Sequence, residues 1–281
     1  MMIKSLKAGA PMAGMIGLAG MLPLSAQLPT LSEKENLAYF VVVRSKSFQF
    51  GVESNAKTTV KVFDDKGEPI NSKLTIDVNF NVTETMPDGK NITRQINAKS
   101  LESAQAATDE PKNMVFKGKV TGNIEFEATV SEERGAILLG GRLLNPEVLK
   151  NPTQFSIEVK ISNTIPEAKT DATKKDTKEL EDKIKGDKLQ LIWTDGKKAR
   201  IPSNKAVEGA SKDVSGPGIT TAAIEFSAFK DRKIQLTASP NSSMVISNSS
   251  NQPLSEGFSL NWTADTAKDP EGKARLAIEI R

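Results

Sequence analysis

Two Ser-x-x-Lys stretches, Ser54-Asn55-Ala56-Lys57 and Ser227-Ala228-Phe229-Lys230, hold the spacing in this chain best suited to nucleophilic chemistry. A serine becomes a nucleophile when a base lies within hydrogen-bond reach, and a lysine three residues on can be that base when both sit on a helix. The Ser-Asp-Asn and Lys-Thr-Gly elements that accompany the motif in penicillin-recognising enzymes do not occur, and both stretches lie in strand-like sequence. Adjacent acids offer a second chemistry, since glycoside hydrolysis needs only two carboxylates flanking a bond. Asp64-Asp65, Asp109-Glu110 and Glu132-Glu133 are such pairs. All three fall in predicted turns or loops, where water solvates them. Calcium needs only hard oxygen ligands, and Asp265, Asp269 and Glu271 crowd one loop while Asp64, Asp65 and Glu68 crowd another. Neither has the EF-hand spacing, so both read as polar hairpin loops.

More is decided by what is missing. The 281 residues include no histidine and no cysteine. That removes the Ser-His-Asp triad, His- or Cys-ligated zinc, the thiol nucleophile and the redox pair. Aromatic residues make up 5% of the chain, too few for an obvious sugar-stacking platform. Trp193 alternates with Leu189 and Leu191, and Trp262 with Phe258 and Leu260, so both indoles are expected in the core. No glycine-rich loop follows a strand and opens a helix, which leaves nucleotide binding without support. Asn81, Asn91, Asn241, Asn248 and Asn261 begin Asn-x-Ser/Thr triplets, which matter only in a glycosylating secretory route. On these residues no catalytic, cofactor-binding or metal-binding set is assigned, and the expectation is a protein without enzymatic activity or cofactor.

The elements that would position such groups are strands. Leu74, Ile76, Val78, Phe80 and Val82 alternate with polar residues, as do Phe155, Ile157, Val159 and Ile161. Successive strand side chains point to opposite faces, so each stretch has one apolar and one polar face. Met86-Pro87-Asp88-Gly89-Lys90, Thr121-Gly122-Asn123 and Thr194-Asp195-Gly196-Lys197 carry hairpin-turn chemistry between such stretches. Ala136–Leu144 is a more continuous apolar run interrupted by Gly140-Gly141, read as a central or bulged strand. Leu276-Ile278-Ile280 closes the chain as a strand.

Between Pro166 and Asp187 the texture changes to Lys, Glu, Asp and Thr, with Leu180 and Ile184 as an isolated i, i+4 apolar pair. This segment reads as a charged linker holding a short helix near 177–185. The expected fold is therefore all-β: two antiparallel β-sandwich-like, immunoglobulin-like domains at 35–165 and 188–281, joined by the linker 166–187.

Residues 1–26 have the parts of a secretory signal peptide: Lys4 and Lys7, an apolar stretch from Ala8 to Leu22, and small residues before a cut after Ala26. Those two lysines supply two of the net charge of +3, so the remainder lacks the basic footprint of nucleic-acid binding. No later segment approaches the roughly 18 apolar residues of a membrane span. The expectation is an exported protein, periplasmic, cell-surface or secreted. Its expected role is that of a non-catalytic structural, adhesive or assembly component of a bacterial cell envelope, contacting protein partners through surfaces and sheet edges. The alternative is a glycan- or calcium-binding β-sandwich module, or a carboxylate-based hydrolase.

Overall fold

The computed structural model describes residues 39–53, 57–70, 76–103, 113–146, 149–162, 178–179, 182–207, 214, 216–230, 232–248 and 254–281. The predicted signal peptide, Ser54 and the Asp109-Glu110 pair lie outside them.

Period-two sequence becomes ladder. In β4 (Ile76–Thr85) the apolar residues Ile76, Val78, Phe80 and Val82 are buried, while the intervening Asp77, Asn79, Asn81 and Thr83 are half-buried on the other face. Strand β10 (Thr153–Ile161) repeats the pattern, and the two pair antiparallel with Phe80 opposite Ile157 and Val78 opposite Val159. Every ladder among the described residues is antiparallel. One run of ladders goes from β1 (Tyr39–Arg44) through β2 (Phe48–Glu53), β3 (Thr58–Val62), β4 and β10 to β16 (Phe258–Ala264) and β15 (Ser242–Ser247). Strand β5 (Asn91–Arg94) pairs with the far end of β4 through the predicted Met86–Lys90 turn, where Gly89 adopts φ 79°.

A second run begins with β6 (Ile96–Ser103), β7 (Asn113–Val120), β8 (Ile124–Glu133) and β9 (Ala136–Leu143). It continues through β17 (Leu276–Ile280), β14 (Ile234–Ala238) and β13 (Ile219–Glu225) to β11 (Lys188–Trp193) and β12 (Lys198–Pro202). Ring contacts join the two runs. Phe80 of β4 meets Phe116 of β7 edge-on at 5.4 Å, and Phe126 of β8 stacks on Phe155 of β10 at 6.1 Å. The buried residues form one hydrophobic cluster drawing on both runs.

The all-β, antiparallel expectation is what the structure shows. The charged segment does not interrupt it: β9 pairs with β17 and β10 with β16, joining strands that precede the segment to strands that follow it. Residues 31–281 cluster as one compact unit, so the expected division at 166–187 falls inside a continuous set of ladders. Residues 178–179 and 182–184 are helical. Among the described residues no helix is long and apolar enough to cross a membrane.

Of the two readings offered for the Gly140-Gly141 strand, the structure selects the central one. The β8–β9 register runs unbroken from Phe126 opposite Leu143 to Glu133 opposite Ala136, so there is no bulge. The glycines make room instead. A Cβ on Gly141 would lie 2.5 Å from Cε1 of Phe155, and one on Gly140 would meet the Arg275 side chain at 2.6 Å.

Candidate functional site

The strand β13 ends at Glu225, and the loop that leads to its antiparallel partner β14 opens with a tight turn. Phe226 and Phe229 are the pins of that turn: both are buried, and Phe226 packs edge-on against Phe258 at 6.0 Å. Between them Ser227–Phe229 form one 3-10 turn, with the Lys230 N–H donating to the Ser227 carbonyl at 2.9 Å. Lys230 holds φ 54° and ψ −124°, a conformation rare for any residue with a Cβ. The turn and the residues leading into β14 line an open, shallow cleft of about 300 Å³ formed by Glu225, Phe226, Ser227, Lys230, Arg232 and Lys233.

Groups from two other parts of the chain, 187–190 and 63–65, fix this lining. Asp187, 5% exposed, sits just before β11. Its Oδ1 accepts the Ser227 N–H at 2.9 Å and its Oδ2 accepts the Ser227 hydroxyl at 3.0 Å. Its own backbone is tied as well: its N–H donates to Ile184 O, and its carbonyl accepts from the Ser203 N–H. Glu225 stands opposite Lys188 in the β11–β13 ladder. Its carboxylate is paired with Lys188 and with Lys233, whose Nζ is 2.5 Å away, and it accepts Gln190 Nε2 at 3.1 Å. On the far rim, Lys230 reaches Asp64 at 3.4 Å, while Arg232 donates to Asp65 at 2.7 Å and to the Phe63 carbonyl at 3.1 Å.

The two acids nearest Ser227 are pushed in opposite directions. Burial raises the Asp187 carboxyl above the usual aspartate range, partly offset by its bonds from Ser227. Hydrogen bonds from Lys188 and Lys233 hold Glu225 below the usual glutamate range. Divergent environments of this kind are what separate acid from base in sites that use carboxylates alone.

The residues singled out in the sequence separate clearly. Ser227 and Lys230 both line the cleft, but the motif does not work as a Ser-Lys pair: the Lys230 ammonium faces Asp64, and the acceptor on the Ser227 hydroxyl is Asp187. Lys57 lies in the β2–β3 hairpin, where its carbonyl accepts from Glu53. Asp64 and Asp65 belong to the cleft rim as counter-ions. Glu132, at the β8–β9 turn, accepts the Gly135 N–H at 2.7 Å.

The calcium loops are spoken for by their own backbone. Asp269 accepts the N–H groups of Lys273 and Ala274 at 2.8 Å each, and Asp265 accepts those of Ala267 and Lys268 while pairing with the Lys268 ammonium. Asp64 Oδ1 likewise accepts the N–H groups of Lys66 and Glu68. Among the described residues no group of three acids is placed to hold a metal ion. Trp193 and Trp262 are buried, as expected for core indoles.

Two carboxylates were invisible as partners in the sequence. Asp187 reads there as the last residue of a solvated linker, and Glu225 as one outward residue of a strand. A third case is Glu158, whose oxygens accept Ser259 Oγ at 2.7 Å and Asn79 Nδ2 at 3.0 Å on the polar face of β4, β10 and β16.

No protein-family model and no curated protein sequence matches the chain. Solved structures do. An α-N-acetylgalactosaminidase from Bifidobacterium bifidum, NagBb, aligns in complex with Gal-NHAc-DNJ at a TM-score of 0.54 and 10% identity, over 86% of this chain and 36% of that one. Its quadruple mutant aligns at 0.51 and 11% identity over the same shares. A GalM/aldose epimerase homologue from C. elegans aligns at 0.40 and 8% identity, over 86% and 98%. The chain thus spans little more than a third of the enzyme chains whose fold it shares. The likeness corrects the expectation of a non-catalytic structural or adhesive envelope component: this β architecture is one that a carbohydrate-active enzyme carries.

Proposed function

We propose that this chain is a carbohydrate-active protein and that the cleft at 225–233 is its sugar site. The observation that carries this reading is the cleft itself: a concave lining of fixed donors and acceptors, placed at the end of a strand whose fold is shared with a sugar-processing enzyme. Sugar hydroxyls each donate and accept, and pockets for small polar ligands use a few well-placed polar groups within an otherwise packed wall. Glu225 supplies an ionised acceptor held by Lys188 and Lys233, Ser227 supplies a hydroxyl, and Lys230 and Arg232 supply donors fixed by Asp64 and Asp65. Their geometry is set before a ligand arrives, which lowers the ordering cost of binding. The buried Phe226 and Phe229 keep the turn in place.

The reading includes export. The signal-like residues 1–26 support an exported protein that meets the sugars of an envelope or its surroundings.

The test is binding of the purified chain to an array of immobilised mono- and oligosaccharides, repeated with Glu225→Gln and Lys233→Met. At least one sugar class binds the native chain, and each substitution weakens that binding about tenfold, the scale of one lost charge-assisted hydrogen bond. Absence of binding across the whole array, or equal binding by both variants, contradicts the reading.

A further inference from the structure

We propose that Ser227 is an acyl-accepting nucleophile with Asp187 as its base, and that the cleft hydrolyses O-acyl esters of hydroxylated small molecules, acylated sugars in the first place. The choice of acylated sugars rests on the carbohydrate reading above; the nucleophile does not.

The geometry has the required parts. The Ser227 hydroxyl lines the cleft and donates to Asp187 Oδ2 at 3.0 Å, within the reach a general base needs. The other oxygen of the same carboxylate accepts the Ser227 N–H at 2.9 Å, so the pair is locked in register. Asp187 is 5% exposed and bridged through its backbone to Ile184 and Ser203, which stops it from turning away. Burial of this carboxylate favours its taking a proton. Lys230, Arg232 and Lys233 line the same cleft while paired with Asp64, Asp65 and Glu225, so an oxyanion formed on an attacked carbonyl would lie beside fixed ion pairs that present their cationic ends to it. The conformation at Lys230 is the kind of backbone strain that collects at working sites.

The steps balance without another reactant. Ser227 Oγ forms a bond to the ester carbonyl carbon while its proton passes to Asp187 Oδ2. The carbonyl oxygen takes the negative charge. The charge returns, the bond to the alcohol oxygen breaks, and that oxygen leaves with the proton from Asp187. Water then adds to the acyl-serine, giving its proton to Asp187, and the acid departs as Ser227 Oγ recovers that proton.

The full chain is treated with a biotinylated fluorophosphonate, which loses fluoride to an activated serine, and the adduct is located by mass spectrometry. Hydrolysis of p-nitrophenyl acetate is followed in parallel. Stoichiometric labelling at Ser227 is expected, with esterase rate and labelling each falling about a hundredfold or more in Ser227→Ala. Asp187→Asn preserves the shape of the carboxylate, and its melting curve reports folding independently. It is expected to melt as a folded protein, to label at least tenfold more slowly, and to lose the fall in rate that the native chain shows on acidification. An unlabelled native chain, equal labelling of Ser227→Ala, or unchanged kinetics in Asp187→Asn overturns the proposal. If those failures come with sugar binding intact on the array, they remove the nucleophile and leave the sugar site standing.

Discussion

Replacing Asp187 by alanine removes the acceptor that holds the 227–229 turn and tests how the cleft is built. Two hydrogen bonds to one carboxylate are lost, from the Ser227 N–H at 2.9 Å and the Ser227 hydroxyl at 3.0 Å. Bonds to a charged acceptor contribute about 1.5–3 kcal/mol each when the donor is left dry. Here Ser227 is exposed, so water replaces part of that loss. The fitting scale is that of a helix cap replaced by alanine, about 0.5–2 kcal/mol. Taking about 2 kcal/mol, and about 2–4 °C of melting temperature per kcal/mol for a unit of this size, the variant should melt about 4–8 °C below the native chain.

Asp187→Asn keeps an acceptor for the Ser227 N–H and removes a buried charge, so it should stay within about 1 kcal/mol of native at neutral pH. The pH dependence separates the two effects. A carboxyl whose folded pKa lies above its unfolded value of 3.8 gains from folding only while protonated. Its unfavourable charge therefore appears as pH rises from the unfolded value through the folded one. Relative to the native chain, Asp187→Asn should gain stability over that rise and hold the gain above it. Differential scanning calorimetry at several pH values across that rise is the assay. If the alanine and asparagine variants melt together at neutral pH, or if the asparagine variant keeps a constant offset from native throughout, the account of this carboxylate is wrong.

Gly141→Ala should be costly, because its Cβ would lie 2.5 Å from Cε1 of Phe155 and 2.7 Å from the Glu127 carbonyl. Overpacking against backbone as well as a ring places the cost near 3 kcal/mol by chemical denaturation, while Gly186→Ala, with nothing within 4 Å, should change stability by less than about 0.5 kcal/mol. Glu225→Gln loses two ammonium partners, and since Glu225 is held below its unfolded value of 4.5, the native advantage of about 1 kcal/mol should exist above that value and fade as pH falls through the folded pKa. Lys230→Gly relieves the backbone at φ 54° and gives up only an ion pair to Asp64, so melting temperature should rise by a few degrees, about 1 kcal/mol, while cleft binding weakens.

How far the sequence spoke depended on the range of the interaction. Alternation over 76–82 and 155–161 announced two half-buried strands, and the Asp-Gly turns at 88–89 and 195–196 closed hairpins where expected. These are local signals, set by a pleat of period two and by glycine at positive φ. That β4 should lie against β10, about seventy residues away, is set by packing, and no local pattern encodes it. The same gap hid the site. Ser227 and Lys230 were noticed for their spacing, but the turn points the lysine at Asp64 and gives the serine to Asp187, forty residues upstream. Asp187 itself follows a run of solvated charge, and nothing in its neighbours distinguishes a buried aspartate from an exposed one. The expectation of no activity joins the missing histidine and cysteine to Ser-Lys and carboxylate candidates that each look weak in sequence. The cleft gathers carboxylates, a hydroxyl and paired cations, the polar groups that composition leaves.

The proposed sugar site is the cleft lined by Glu225, Phe226, Ser227, Lys230, Arg232 and Lys233. Backbone amide resonances of the isotopically labelled chain, followed during titration with the sugar that binds most tightly on the array, test it most directly. Saturable shifts are expected at Glu225, Ser227, Lys230, Arg232 and Lys233, extending to Asp187 and Lys188, with the β4–β5 hairpin unmoved. Shifts that gather on another surface while these amides stay still would contradict it.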